Sequence, residues 1–359
     1  MKVRLVDICK PKQWKTIPRN DLLDEGYPVY GANGIIGYYS EFNHEESVVT
    51  ITCRGATCGS INITVPQSYV TGNAMCLDEV RSDIETEYLY YCLKHYDFNK
   101  IISGSAQPQI TRQSMEKITI SIFDHKKQIE ILDKLKKIER IIAHRKQELS
   151  ELDTLIKARF VEMFGDPVSN SYRCHEATLM ELGELGRGVS KHRPRNDSKL
   201  LGGKYPLIQT GDVANSGLYI TSYNSTYSEL GLKQSKMWNK GTLCITIAAN
   251  IAKTAILEFD ACFPDSIVGF IAGEQTNNIF IHYWFSFFQK IIETQAPESA
   301  QKNINLKILS ELKVIVPEKE KQNEFATFVQ QIDKLRVVIQ KSLDEAQYLF
   351  DSLMQEYFG

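Results

Sequence analysis

The sequence predicts an α+β protein: two mixed α/β domains separated by two long antiparallel coiled-coil helices, in a pseudo-twofold tandem repeat. Three observations carry this. Within Phe123–Gly165, one series of positions seven apart reads Leu135, Ile142, Leu149, Ile156, Met163, and a second reads Ile131, Ile138, Arg145, Leu152, Arg159. These are the two seam positions of a coiled coil. Both series return 194 residues later, in Pro317–Gly359, as Val329, Arg336, Leu343, Phe350, Tyr357 and Phe325, Ile332, Ile339, Ala346, Leu353. At the same offset Ser105, Ala106, Gln107, Ile110 and Lys127-Gln128 match Ser299, Ala300, Gln301, Ile304 and Lys321-Gln322. The repeated unit is therefore globule plus rod.

A seven-residue repeat over about five heptads requires a partner helix of similar length, because an isolated helix cannot bury such a seam. The seam residues are Leu135, Ile142, Leu149 and Ile156 in the first rod, and Ile332, Ile339, Leu343 and Leu353 in the second. Each rod of about 40 residues spans roughly 60 Å. Asp124 and Glu318 suit helix N-termini, whereas Phe164-Gly165-Asp166-Pro167 supplies a terminating glycine and a proline that cannot continue the helix. The expected partner is internal, closing the chain into a ring; the alternative is that each rod dimerises with another molecule. Arg145 and Arg336 read as register-setting residues or exposed seam edges.

Composition sets outer limits. A chain of 359 residues, 43% hydrophobic, can build two cored domains. The net charge of -2 gives no global signal for nucleic acid, but basic side chains concentrated on one face are compatible with it. The eight cysteines, at 9, 53, 58, 76, 92, 174, 244 and 262, lack Cys-x-x-Cys or a matching His spacing. They read as reduced, mostly buried thiols, with neither a metal nor a disulfide framework. No apolar run suits a signal peptide or a membrane span, so a cytoplasmic location is expected.

Four segments follow: residues 1–122, a first domain; 123–165, the central helix; 166–316, a second domain; and 317–359, the C-terminal helix. In the first domain, strands are expected at Ser47–Thr52 and Ile61–Val65, a helix at about Thr86–Tyr96, and a short strand near Ile118–Phe123. In the second, Leu201-Gly202-Gly203 reads as a loop, Thr242–Ile247 and Thr254–Leu257 as strands, and Ile279–Ile292 as an aromatic-rich helix. Tyr27-Pro28 and Tyr205-Pro206 pair at an offset of 178, so the domains differ by insertions while the rods do not.

With that order in view, the chain resembles the specificity subunit of Type I restriction-modification systems along its whole length. The local marks are Tyr27-Pro28 and Tyr205-Pro206, Ile51–Gly55, Ile245–Asn250 with Cys262–Asp265, the Gln107 and Gln301 loops, and the Phe-Gly helix ends. The resemblance implies two target-recognition domains that read a split, asymmetric sequence in double-stranded DNA, on rods that dock two methyltransferase subunits and, in the full complex, restriction-translocase subunits. It implies no catalytic residue and no cofactor in this chain; S-adenosylmethionine, ATP and Mg are expected in the partners. Two domains on antiparallel rods suit half-sites about one helical turn, roughly 34 Å, apart.

Phosphates are held by Lys, Arg and backbone N–H groups, and base edges are read by Arg or Lys at guanine and Asn or Gln at adenine. Candidates on that basis are Asn33, Arg54, Gln107, Gln109 and Arg112 in the first domain, and Lys191, His192, Arg193, Arg195, Lys253, Gln301, Lys302 and Asn303 in the second. Arg54 reads equally as a DNA contact or a local ion-pair partner. Gln107 and Gln301, being identical in domains with different targets, read as loop braces. Lys191–Arg195 is a solvated loop or a phosphate clamp. On the first rod, Lys134, Lys136, Lys137, Arg140, Arg145 and Lys146 read as a solvated face or the seat of a methyltransferase subunit.

Two other classes fit the sequence less well. A single-chain DNA methyltransferase would need an Asn/Asp-Pro-Pro-aromatic loop, and the chain has no Pro-Pro. Gly183–Gly188 is Gly-rich without a clear preceding strand, and reads as a loop. A nuclease reading of Pro264-Asp265 with Glu311 and Lys313 is weak on separation. A non-catalytic coiled-coil adaptor differs from a DNA reader in lacking salt-dependent duplex binding.

Overall fold

The heptad segments fold as two 40-residue helices, and the first is capped by the Asp124 side chain. In the computed structural model, which describes residues 1–104, 107–248, 251–288, 291 and 304–359, the chain divides into two compact units. One is Met1–Lys146 with Gln340–Gly359; the other is Gln147–Ile339. Each unit thus takes a share of both long helices.

In the first unit, β1 (Lys2–Arg4) pairs antiparallel with β9 (Thr119–Ser121). Strands β2 (Lys10–Lys12), β5 (Val49–Thr52), β6 (Ile61–Ile63) and β8 (Ala74–Asp78) form a sheet in the order β2-β8-β5-β6. A second sheet, β4-β3-β7, joins the hairpin of β3 (Tyr27–Gly31) and β4 (Gly34–Tyr39) to β7 (Tyr69–Val70). Helix α1 (Thr86–His95) buries Tyr88, Leu89, Cys92 and Leu93, at helical spacing. The four-residue α2 (Arg112–Met115) starts in a reciprocal capping box between Thr111 and Ser114.

Helix α3 (His125–Phe164) begins with Asp124 accepting the Lys127 N–H at 3.0 Å. Its seam residue Leu135 is fully buried and Ile142 nearly so. The facing stretch belongs to the last helix, Lys319–Phe358, whose Phe350, Met354 and Tyr357 are buried. Lys134 Nζ donates to the Tyr357 hydroxyl at 3.3 Å, and the Phe123 and Tyr357 rings meet edge to face at 6.4 Å. An early residue of one helix against a late residue of the other is antiparallel packing.

In the second unit, β10 (His175–Thr178) pairs with Lys313–Val316, as β1 pairs with β9. Next come α4 (Leu179–Leu182), β11 (Gly183–Arg187), β12 (Leu201–Leu207), α5 (Thr210–Asn215), β13 (Tyr219–Ile220), β14 (Ser225–Tyr227), α6 (Glu229–Lys233) and β15 (Met237–Trp238). Strands β16 (Leu243–Thr246), β17 (Thr254–Leu257), β18 (Ala261–Cys262) and β19 (Ile267–Ala272) follow. They build a five-stranded sheet, β11-β19-β16-β17-β13, and a four-stranded one, β14-β12-β18-β15. Helix α7 (Asn278–Phe285) sets Trp284 and Phe280 into the core, and α8 (Leu306–Glu311) precedes β20 (Lys313–Val316) and α9 (Lys319–Phe358).

Phe160, Phe164, Phe280 and Phe325 form one aromatic cluster with ring centroids 5.0–5.5 Å apart. Each such pair contributes about 0.5–1.5 kcal/mol beyond its buried area. The helices are again antiparallel: Asp153 of α3 accepts from Arg336 of α9 at 2.5 Å. Among the remaining seam positions Ile156, Ile332 and Leu343 are buried, whereas Leu149, Ile339 and Leu353 are half-buried.

Two expectations are corrected. Gly183–Gly188 is not a loop: Gly183–Arg187 is a strand, paired residue for residue with Val268–Ala272. Leu201-Gly202-Gly203 likewise opens a strand, β12, in which the register shifts between Leu201 and Tyr205.

Candidate nucleic-acid interface

In the first unit three loops converge. Thr57 Oγ1 donates to Asn33 Oδ1 at 2.5 Å, tying the β3–β4 turn to the loop after β5, and Thr52 Oγ1 donates to the Ala32 carbonyl. The third loop joins through the backbone: Gly55 N–H donates to Pro108 O at 3.2 Å and Ile110 N–H to Cys53 O at 2.9 Å. Arg54 and Gln109 face each other in an isolated antiparallel bridge. Asn33, Arg54 and Gln109 are thus gathered on one braced, exposed surface, and Gln107 is exposed in the same loop. Arg54 forms no ion pair among the described residues. Arg112, exposed in the first turn of α2, lies two residues beyond Ile110.

In the second unit the basic loop is shaped by Gln234, whose side-chain carbonyl accepts the N–H groups of Lys191 at 2.7 Å and His192 at 3.0 Å. The His192 ring sits 3.1 Å from Asp197. Arg193 reaches one oxygen of Asp265 at 3.4 Å, Arg195 pairs with the other, and Arg187 donates to the Asp265 backbone carbonyl. Two guanidinium groups on one carboxylate leave a net positive, half-exposed loop whose conformation is already set. Lys253 lines a cavity with Lys157, His282, Asp333 and Arg336 instead. Gln301, Lys302 and Asn303 lie outside the described residues, as do Ser105, Ala106, Ala249, Asn250, Ser299 and Ala300.

The rod cations Lys134, Lys136 and Lys137 are each met by a neighbour: Tyr357, Glu87 and Asp133. Cysteine chemistry is muted as well. Burial pushes the thiols of Cys9, Cys53 and Cys92 up to about 12, and every other cysteine is also shifted upward, the opposite of an activated nucleophile. Asp265, an acid the nuclease reading needs, is engaged by two arginines.

Gln234 and Thr57 carry no sequence signal for these roles. Each acts on a residue 24 or more positions away in the chain, through a contact only the fold creates.

Comparison with known proteins agrees with this architecture. The family model described as "Type I restriction modification DNA specificity domain" matches residues 1–154 and again 175–346. A putative type I restriction enzyme specificity subunit of Haemophilus influenzae is 23% identical over 328 residues, 88% of this chain and 82% of that protein. The EcoprrI specificity subunit of Escherichia coli is 29% identical over 115 residues, which span 32% of this chain and only 28% of that relative. The crystal structure of a Type I restriction-modification S subunit from M. genitalium covers all of this chain, and 96% of its own, with a TM-score of 0.66 at 16% identity, a likeness of fold.

The class is set by the family model, a DNA specificity domain matched twice along a chain built as a duplicated globule-and-helix unit. The chain belongs to the Type I restriction-modification DNA specificity family, and it is a specificity subunit of that kind.

Proposed function

We propose that this chain reads a bipartite, asymmetric target in duplex DNA and docks two methyltransferase subunits, with restriction-translocase subunits completing the assembly. The observation that carries the reading is a common frame with unlike loops. The β1–β9 and β10–β20 ribbons and the short helices α2 and α8 recur in the two units, while the exposed groups are Asn33, Arg54 and Gln109 in one and Lys191–Arg195 in the other. Like frames suit a common mode of approach; unlike loops suit different half-sites.

Docking by the helices is supported by apolar side chains they leave outside. Val338, Val337 and Leu335 are 67%, 63% and 53% exposed, and Tyr348 is 79% exposed. Contiguous apolar surface left on a helix is the kind that a partner covers in an assembly. S-adenosylmethionine, ATP and Mg belong to the partner subunits in this reading.

Co-expression with the cognate methyltransferase, followed by long-read mapping of methylated adenines across a host genome, tests the proposal. The expected result is a split, asymmetric motif that vanishes without this chain. An assembled complex with no new methylation would favour the adaptor reading.

A further inference from the structure

Cys76 and Asp78 alternate along β8 and so share one face of the sheet, and the segment before β5 brings His44 against them. One ligand atom from each of these three residues lies within 4.8 Å of the other two. Cys76 is fully buried, and the side chains of His44 and Asp78 are 10% and 14% exposed.

The tautomer of His44 follows from its neighbour. The Asn43 side chain accepts the Val70 N–H at 2.9 Å and donates to the Val70 carbonyl at 3.0 Å, so its amide has one orientation. The atom 2.6 Å from His44 Nδ1 is therefore an oxygen, and Nδ1 carries the hydrogen. Nε2, the other ring nitrogen, faces Asp78 Oδ1 at 3.1 Å. The far oxygen of Asp78 is held by the Trp14 indole N–H at 3.1 Å. A histidine donating its other nitrogen to an oxygen, and a carboxylate steadied from behind, are the outer-shell partners that orient metal ligands.

We propose that His44 Nε2, Cys76 Sγ and Asp78 Oδ1 form a site for a zinc-class divalent ion. A tetrahedral zinc ion sets N, S and O ligands about 3.3–3.6 Å apart, within reach of the observed spacing. The mixed donor set selects zinc over magnesium or calcium, which take oxygen ligands. Three ligands leave a fourth position to water, and the partial exposure of His44 and Asp78 gives the ion an entry path. The nearest cation, Lys12, sits opposite Cys76 in the β2–β8 pairing and holds its ammonium 3.5 Å from the Trp14 ring centre. The site would pin the His44 segment to β8. Separations of 32 and 2 residues match no metal-binding motif, so the sequence alone carries no signal for this site.

The test uses the full chain stripped with chelator, then titrated with Zn²⁺ in competition with a chromogenic chelator and separately with Co²⁺. One ion per chain is expected, and the cobalt form should show thiolate charge-transfer and tetrahedral ligand-field bands. Cys76→Ser should abolish the charge-transfer band, while Cys58→Ser retains it. Trp14→Phe, which removes only the indole donor, should weaken zinc binding about tenfold. Should Cys76→Ser fail to fold, His44→Gln, which keeps a donor toward Asn43, replaces it. No uptake by the wild-type chain, or cobalt bands unchanged by Cys76→Ser, would overturn the site and leave His44 as a side chain hydrogen-bonded between Asn43 and Asp78.

Discussion

Gln128 and Gln322, 194 positions apart, do the same work at the start of the two long helices, and both are fully buried. The Gln128 amide donates to the carbonyls of Asp83 and Phe123, and its oxygen accepts the Glu85 N–H, at 2.9–3.0 Å. Gln322 donates to Gln275 and Pro317 and accepts from the Thr276 hydroxyl over the same range. Each ties a helix entrance to the loop beside the short domain helix. Replacing either with Leu leaves two carbonyls and a donor without partners, so each variant should lose about 2–4 kcal/mol, read as a lower urea midpoint.

The Asp153–Arg336 pair makes a contrast. Asp153 is 62% exposed and Arg336 28%, so water and salt screen much of their attraction. A double-mutant cycle with alanine should return a coupling below about 1 kcal/mol that shrinks further in high salt.

Burial holds the His282 imidazole down to about 4 from an ordinary 6.5, against Thr254 Oγ1 at 3.0 Å. The unfolded chain therefore takes up this proton first. Stability should be unaffected by this group above about pH 6.5 and should fall as pH drops from there to about 4, by up to about 3 kcal/mol. Denaturation midpoints at pH 7 and pH 5 check this, and His282→Gln should remove that part of the slope.

At the end of α3, Gly165 has φ +77° and its N–H closes on Val161 O at 2.8 Å. A Cβ there would sit 2.5 Å from Ser171 Oγ and 3.0 Å from the Tyr172 ring. Gly165→Ala should lower the thermal midpoint, with a cost of about 1–2 kcal/mol from the left-handed backbone alone.

For the DNA surface, Arg54→Ala should weaken duplex binding and reduce the slope of log K against log salt by about 0.9 if the guanidinium meets a phosphate. A change confined to one half-site sequence would instead mark it as a base reader. Fluorescence anisotropy across a salt series distinguishes the two.

How much was legible follows from how local each signal is. The long helices were, because Leu135, Ile142, Ile156, Ile332 and Leu343 repeat a contact with a period set by the helix itself. The strand at Gly183–Arg187 was not. Gly186 and its cross-strand partner Gly269 are bare because the Trp238 indole lies on both, and a Cβ at either would meet that ring within 2.7 Å. A run selected for close approach carries little β-propensity and reads as a turn. The interface was half legible. Residue types on Gly-flanked loops pointed to Asn33, Arg54 and Gln109, but their convergence, and the hold of Asp265 on Arg193 and Arg195, rest on contacts between distant segments.

The make-up of the first compact unit also imposes an order on synthesis. Residues up to Lys146 must wait for Gln340–Gly359, made roughly two hundred residues later, before Phe350, Met354 and Tyr357 can cover the α3 seam. At about 5–20 residues per second that is some 10–40 s during which a nascent chain carries Ile131, Leu135 and Ile142 uncovered. The second unit, although continuous from Gln147 to Ile339, carries a comparable delay, because Phe325 reaches the rings of Phe160 and Phe164 from 165 and 161 residues further along the chain.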